Sequence, residues 1–333
     1  MRNICVIGGS RYFGRHLVEL LRDAGARVTV VNRGSAPVPE GVTHVVADRD
    51  DERQLRAALG SRTFDVVIDQ VLYTPAQAAV ARGVFAGRTG RYVMTSTMEV
   101  YDPATFPETF PETFPQSLPA AFPAALPAAP AAGLLRTEDV LDPVGRPVPG
   151  VPAGADEATA YAEGKRQAES VLLTDPLFPT AVVRTAHVLG GGRADFTGRL
   201  AHYADRISAG LPVLAHRSAY PTSFIHHREI ADFLHWTAGS PFTGPVNACS
   251  HGALDVAGLS GLVGDRAGRR PRFSYVDSGS AASPFSFDRS YAMDNARATR
   301  LGFTFGHVTD WLPQAVDEAL GGAAGESLGG GHR

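Results

Sequence analysis

Residues 3–25 read NICVIGGSRYFGRHLVELLRDAG, an apolar run, a glycine-rich turn and an amphipathic stretch in direct succession. Leu17, Leu20 and Leu21 share one helical face, and Gly25 suits a helix stop. Glycines gather between a strand and a helix where backbone amides must come close to a pyrophosphate, with the helix N-terminus aimed at its charge. A tight turn without a ligand would use similar residues, but the position between a first strand and a first helix favours a phosphate loop. Gly8, Gly9, Ser10 and Gly14 are therefore candidate dinucleotide-binding positions.

The same alternation continues. β-branched runs at 27–32 (RVTVVN), 42–47 (VTHVVA), 64–69 (FDVVID), 91–96 (RYVMTS) and 180–186 (TAVVRTA) read as strands separated by helix-like segments. Strand, helix, strand in this order implies right-handed crossovers and an α/β fold with a doubly wound parallel sheet, the Rossmann arrangement, over residues 1–185. Asp156 is a plausible N-cap for a helix over 156–174. Beyond residue 190 the pattern becomes irregular. Helix-like 195–210, strand-like 220–227 and helix-like 228–239 suggest a smaller C-terminal substrate domain at 186–320, and the glycine-rich 321–333 reads as a flexible tail.

One segment interrupts the first domain. At 103–133, proline recurs at every fourth position from Pro107 to Pro127, which excludes an interior helix or central strand. It reads as a disordered insertion, or, because Phe106, Phe110, Phe114 and Phe122 are unusually apolar for disorder, as a lid.

At 333 residues and 44% hydrophobic content the chain is globular, and a net charge of −3 provides no broad basic field for nucleic acid. Apolar runs are strand-sized, so no membrane span is expected, and no charged-then-apolar leader precedes the first strand. Cys5 and Cys249 form no metal or disulfide spacing, and the adjacent His226 and His227, read on one strand, would point to opposite faces. The expectation is a cytoplasmic protein without a metal.

Of 31 basic residues, 30 are arginine and one, Lys165, is lysine. It stands four residues after Tyr161, a spacing that stacks both side chains on one helical face. A surface lysine is the plain alternative. A compact ammonium suits a tight site where a planar guanidinium does not. Near the glycine turn, Arg11 stands where a third glycine often does, and the second strand ends in Asn32 and Arg33 rather than a carboxylate for an NAD ribose. Two arginines there favour the 2'-phosphate of NADP, with NAD as the alternative and ordinary surface cations as the plain reading.

With these pieces placed, the chain resembles the extended short-chain dehydrogenase/reductases, which include nucleotide-sugar epimerases and dehydratases. The matching parts are GGSRYFG, Asp48 in VVADR, TSTMEVY after the fifth strand, YAEGK and FIHHREIA. The resemblance implies catalysis by Thr97, Tyr161 and Lys165. Lys165 would also hold the nicotinamide ribose, and Asp48 would join the cofactor-binding set. Glu99 matches the base of the family's sugar dehydratases, whereas Met98 replaces their acid, so a dehydratase is not expected and Glu99 is a candidate second acid/base. His187 and Arg228 lie where relatives meet substrate. The implied function is NAD(P)-dependent oxidoreduction or epimerisation at a secondary alcohol or ketone, most plausibly of a nucleotide-linked sugar. The alternatives are an NADPH-dependent ketoreductase of a natural-product pathway and a non-catalytic dinucleotide-binding or RNA-associated protein. A homodimer is also implied by the resemblance.

Overall fold

The computed structural model describes residues 2–101, 135–290 and 292–326. The proline-spaced insertion at 103–133 lies outside the described residues, as do residues 327–333 of the expected tail.

The first half alternates as its sequence pattern requires, through β1 (Asn3–Ile7), α1 (Tyr12–Asp23), β2 (Arg27–Asn32), β3 (Thr43–Val46), α2 (Glu52–Leu59), β4 (Val66–Asp69), α3 (Pro75–Phe85) and β5 (Tyr92–Thr97). After β6 (Leu135–Arg136) come α4 (Glu157–Leu173), β7 (Thr180–Thr185), β8 (His187–Leu189), α5 (Arg199–Ser208), β9 (Val213–His216), β10 (Phe224–His226) and α6 (His227–Gly239). The chain ends with β11 (Gly244–Ala248), α7 (Val256–Ala267), β12 (Phe273–Val276), β13 (Ala292–Met293), α8 (Ala296–Arg300) and α9 (Val308–Glu326).

Seven strands form one parallel sheet in the order β11-β7-β5-β4-β1-β2-β3. Alternate residues of each strand face opposite sides, so two cores result. Ile4, Val6, Val28, Val30 and Ile68 pack with Leu17 and Val18 of α1 and with Ile230, Phe233 and Leu234 of α6. Cys5, Ile7, Val31, Val67 and Met94 pack on the other face with Leu55 of α2, Ala78 and Phe85 of α3, and Ala168 and Leu172 of α4. A third cluster, built on Tyr203, Ile207, Leu259, Leu312 and Val316, joins α5, α7 and α9. Strand order reverses between β1 and β4, and the crevice outside the carboxyl ends of the strands at that point is where such sheets bind ligands.

The late chain differs from its sequence pattern in three places. β11, from the unpromising GPVNA, pairs with β7 at the edge of the main sheet, and α6 packs beside α1. His226 and His227 do not alternate on one strand. β10 ends at His226 and α6 begins at His227, so the two rings meet edge to face at 4.5 Å. Finally, α9 runs on through residues 321–326, because a helix already nucleated over three turns extends readily through Ala323, Ala324 and Glu326 despite the glycines.

Candidate functional site

The glycine turn lies at the switch point. Gly8 and Gly9 take φ of +93° and +76°, and a Cβ at Gly9 would meet Val6 Cγ1 at 2.9 Å, so the turn admits only glycine there. A Cβ at Gly14 would fall 2.2 Å from Gln70 Oε1 and 2.9 Å from the Gly9 Cα. α1 opens with no side-chain cap, which leaves its first amides available. Tyr12, at φ +52°, is a strained non-glycine in this turn, held by stacking on His227 at 5.7 Å and by edge contact with Phe196 at 6.0 Å. The turn is thereby pinned to α6.

Ser10 accepts a 2.5 Å hydrogen bond from the Asn32 side chain, whose Oδ1 in turn accepts from the Gly34 amide at 2.7 Å and contacts His44 Nε2 at 2.8 Å. Asn32 therefore braces the turn from the end of β2. Arg11 and Arg33 flank it and are exposed. Asp48 accepts from the Asp50 amide at 3.0 Å and shapes the loop after β3. The next residue, Arg49, is buried and donates to Asp69, a fully buried carboxylate that also accepts from the Tyr92 hydroxyl at 2.7 Å and from the Val71 amide at 3.0 Å. This network fixes the segment after β4 that carries Gln70 and Tyr73. The buried Nε2 of Gln70 has no partner among the described residues, and the Oε1 of the same side chain lies beside Gly14.

Toward the other side of the switch point, β5 ends in Thr97 and α4 presents Tyr161 and Lys165 on one face. The Thr97 hydroxyl lies close enough to the Tyr161 phenol to favour its ionised form, and Thr97 Oγ1 accepts from the Glu99 amide at 3.2 Å. Tyr161 is 37% exposed as a residue, yet its phenol oxygen is enclosed enough that desolvation pushes its pKa up to about 12. Glu99, half-buried in the turn after β5, lies within electrostatic reach of that phenol. Met98 is buried in the core, so no acid stands at its position.

Lys165 is 2% exposed. Its Nζ donates to the Thr95 carbonyl at 2.8 Å and lies over the Tyr73 ring at 4.6 Å and the Tyr161 ring at 5.8 Å. Gly164 makes this approach possible, since a Cβ there would meet the Tyr73 carbonyl at 2.5 Å. Among the described residues no carboxylate pairs with the amine, and burial lowers its pKa from 10.5 to about 7, with Asp69 opposing the shift. Because the chain has one lysine, isotope labelling of lysine yields a single reporter. We expect its 15N or 13Cε signal in the unliganded protein to titrate near pH 7, whereas a midpoint above 10 would mean an exposed amine. A lowered lysine pKa destabilises the fold fully below pH 7, and the effect fades between pH 7 and 10.5, where the folded chain has released the proton that the unfolded chain still holds.

His187 follows β7, two residues beyond Thr185, which pairs in register with Thr97. It is buried, stacks on Phe287 at 5.6 Å, and burial together with the Arg199 charge holds its pKa well below 6.5. Arg199 was not a candidate from sequence. Its Nη1 lies 3.2 Å from His187 Nδ1 and its guanidinium lies over Phe285 at 5.2 Å. Arg228 lies elsewhere, exposed along a cavity of about 560 Å³ shared with Arg15, His16, Arg193 and His227. Among the described residues no group of His, Cys, Asp or Glu is arranged to hold a metal, and no helix is long and apolar enough to cross a membrane.

A doubly wound parallel sheet, a glycine turn at its switch point and a Tyr-Lys helix beside it define a Rossmann-type dinucleotide-binding fold. Residues 4–80 match the NAD dependent epimerase/dehydratase family. Over nearly its whole length the chain shares its fold with solved UDP-sugar epimerases. UDP-glucose 4-epimerase of Thermotoga maritima, solved with UDP-glucose, superposes with a TM-score of 0.67 at 15% identity, over 98% of this chain and 99% of that one. UDP-N-acetylglucosamine 4-epimerase of Methanobrevibacter ruminantium, solved with UDP-N-acetylmuramic acid, gives 0.64 at 16% identity, over 98% and 99%. UDP-glucose 4-epimerase of Thermus thermophilus, solved with NAD, gives 0.60 at 18% identity, over 96% and 99%. A sequence comparison with curated proteins finds no match.

Proposed function

We propose that this protein is a nicotinamide-dinucleotide-dependent epimerase or oxidoreductase acting at a secondary alcohol or ketone of a nucleotide-linked sugar. The observation that carries the reading is the Thr97–Tyr161 hydroxyl pair beside the buried Lys165. The fold shared with UDP-sugar 4-epimerases supports the choice of substrate class and places epimerisation first.

The residues fit a dinucleotide. Gly8, Gly9, Ser10 and Gly14 would bring backbone to the pyrophosphate, and the orphan Gln70 amide and the unpaired Lys165 ammonium would meet polar groups of the cofactor. Asp48 would complete the adenosine side. A nicotinamide held there would supply the acceptor and donor of hydride for the carbinol carbon. Tyr161 takes the hydroxyl proton as the carbon is oxidised and gives it back on reduction. Thr97 fixes the substrate oxygen's angle by sharing its hydrogen bond. Protonated Lys165 stabilises the phenolate that forms. Glu99 is a second acid/base candidate on the same side.

Asn32 in place of a carboxylate, together with exposed Arg11 and Arg33, favours NADP over NAD. Titrating each against intrinsic fluorescence should give tighter binding of NADP, and Arg33→Ser should reduce that preference about tenfold. Equal affinities, or NAD tighter, would discard this use of the two arginines. The function itself is tested by incubating the cofactor-loaded protein with nucleotide sugars and separating the products by chromatography. An epimer formed without net change in reduced nicotinamide supports the epimerase. Stoichiometric consumption of NADPH would make it a reductase.

A further inference from the structure

Four arginines are buried among the described residues; Arg91 is satisfied by the Phe242 carbonyl, to which it donates at 2.6 Å, and the other three have an anion. Arg49 pairs with Asp69, Arg166 with Glu163 and Arg184 with Glu169. Arg199 does not. Among the described residues no carboxylate ion-pairs with it, and Asp195 is reached only through the Thr197 hydroxyl, which accepts from Arg199 Nε at 3.4 Å and donates to Asp195 Oδ1 at 2.6 Å. Arg199 is half-buried at the start of α5, its guanidinium carbon lies 5.2 Å from the centre of the Phe285 ring, and its Nη1 lies 3.2 Å from His187 Nδ1.

Three features make this a built arrangement rather than a stray surface cation. Phe285, which supports the guanidinium and touches the His187 ring at 5.0 Å, is held at φ +67°, a strained conformation for a bulky residue. His187 is kept neutral by burial, so it accepts from Arg199 without neutralising it. The pair also lies at the same carboxyl end of the sheet as Thr97, since His187 follows two residues after Thr185, the register partner of Thr97, and the Arg199 charge acts on the Tyr161 phenol. A partly desolvated cation that lies over an aromatic ring and has no carboxylate partner is suited to receive an anion.

We propose that Arg199, positioned by His187 and Phe285, binds a carboxylate carried on the sugar ring next to the reacting carbon, so that the substrate is a nucleotide-linked acidic sugar rather than a neutral hexose. This rests on the nucleotide-sugar reading and narrows it. The diphosphate common to all such substrates is the other anion in reach, and the test separates the two.

UDP-glucuronate and UDP-glucose share nucleoside and diphosphate and differ in the carboxylate. Calorimetry on the cofactor-loaded protein should show UDP-glucuronate binding about tenfold or more tightly than UDP-glucose. Arg199→Gln should weaken UDP-glucuronate about 10- to 100-fold and change UDP-glucose by less than about threefold. Arg199→Lys, which keeps the charge, should retain part of the preference and controls for a folding defect. Equal losses on both ligands would assign Arg199 to the diphosphate and overturn the proposal, as would no loss on either or no binding of either. Arg199-dependent binding of the uronate without turnover would refute the enzymatic reading while leaving this inference intact. Turnover of UDP-glucose with no preference for the uronate would do the reverse.

Discussion

Tyr161→Phe is expected to lower kcat by roughly 10²- to 10⁴-fold while leaving cofactor affinity nearly unchanged. The substitution keeps the ring that packs with Tyr73 and Lys165 and removes only the phenol oxygen near the Thr97 hydroxyl. Proton movement at the carbinol then loses its principal partner, because Thr97 has no basic form at neutral pH and Glu99 alone is left on that side. Turnover by product chromatography, paired with a fluorescence titration of the cofactor, reads the two effects separately. Full activity in this variant would remove Tyr161 from the mechanism. A parallel loss of cofactor binding would make its role structural.

The largest effect on stability is expected one helical turn farther along α4. Glu169 and Arg184 are both fully buried and are joined by a 2.6 Å contact to Nη2, with Ser96 donating to Glu169 at 2.5 Å. Arg184 Nη1 donates to the Tyr101 hydroxyl at 2.8 Å, and Tyr101 donates to Asn247 Oδ1 at 2.8 Å. One network thus ties β5, α4, β7 and β11 together. Glu169→Ala leaves a guanidinium buried without its counter-charge and should cost about 3–5 kcal/mol in urea unfolding. Glu169→Leu with Arg184→Met removes both charges and should be milder than the single change. A loss below about 1 kcal/mol for Glu169→Ala would mean that water reaches the arginine.

The parts of the fold set by local pattern were legible in the sequence. β1, β2, β4 and β5 are β-branched runs that need burial on both faces, and the glycine turn announces itself by its neighbours. Tyr161 and Lys165 were legible because helical spacing converts directly into a shared face. Arg49, Gln70, Tyr73 and Arg199 were not, since what singles them out is a partner distant in sequence or the lack of one. Gln70 and Tyr73 had a usable signal, as residues directly after a strand at the switch point face the crevice. β11 carried none, because Gly244, Pro245 and Asn247 are poor strand formers and its identity comes from pairing with β7. The helix start at His227 was hidden for a similar reason, with two histidines carrying no periodicity across a junction between β10 and α6.

Since β11 enters the main sheet only after β8, β9 and β10 have been laid down elsewhere, the chain leaves that sheet and returns to it. The seven-stranded sheet therefore cannot be expressed as a continuous N-terminal module that ends at β7. A chain stopped after α5 would leave β7 as a bare apolar edge inviting intermolecular strand pairing. Engineering of new specificity in this scaffold therefore has to proceed by side-chain replacement within an intact chain.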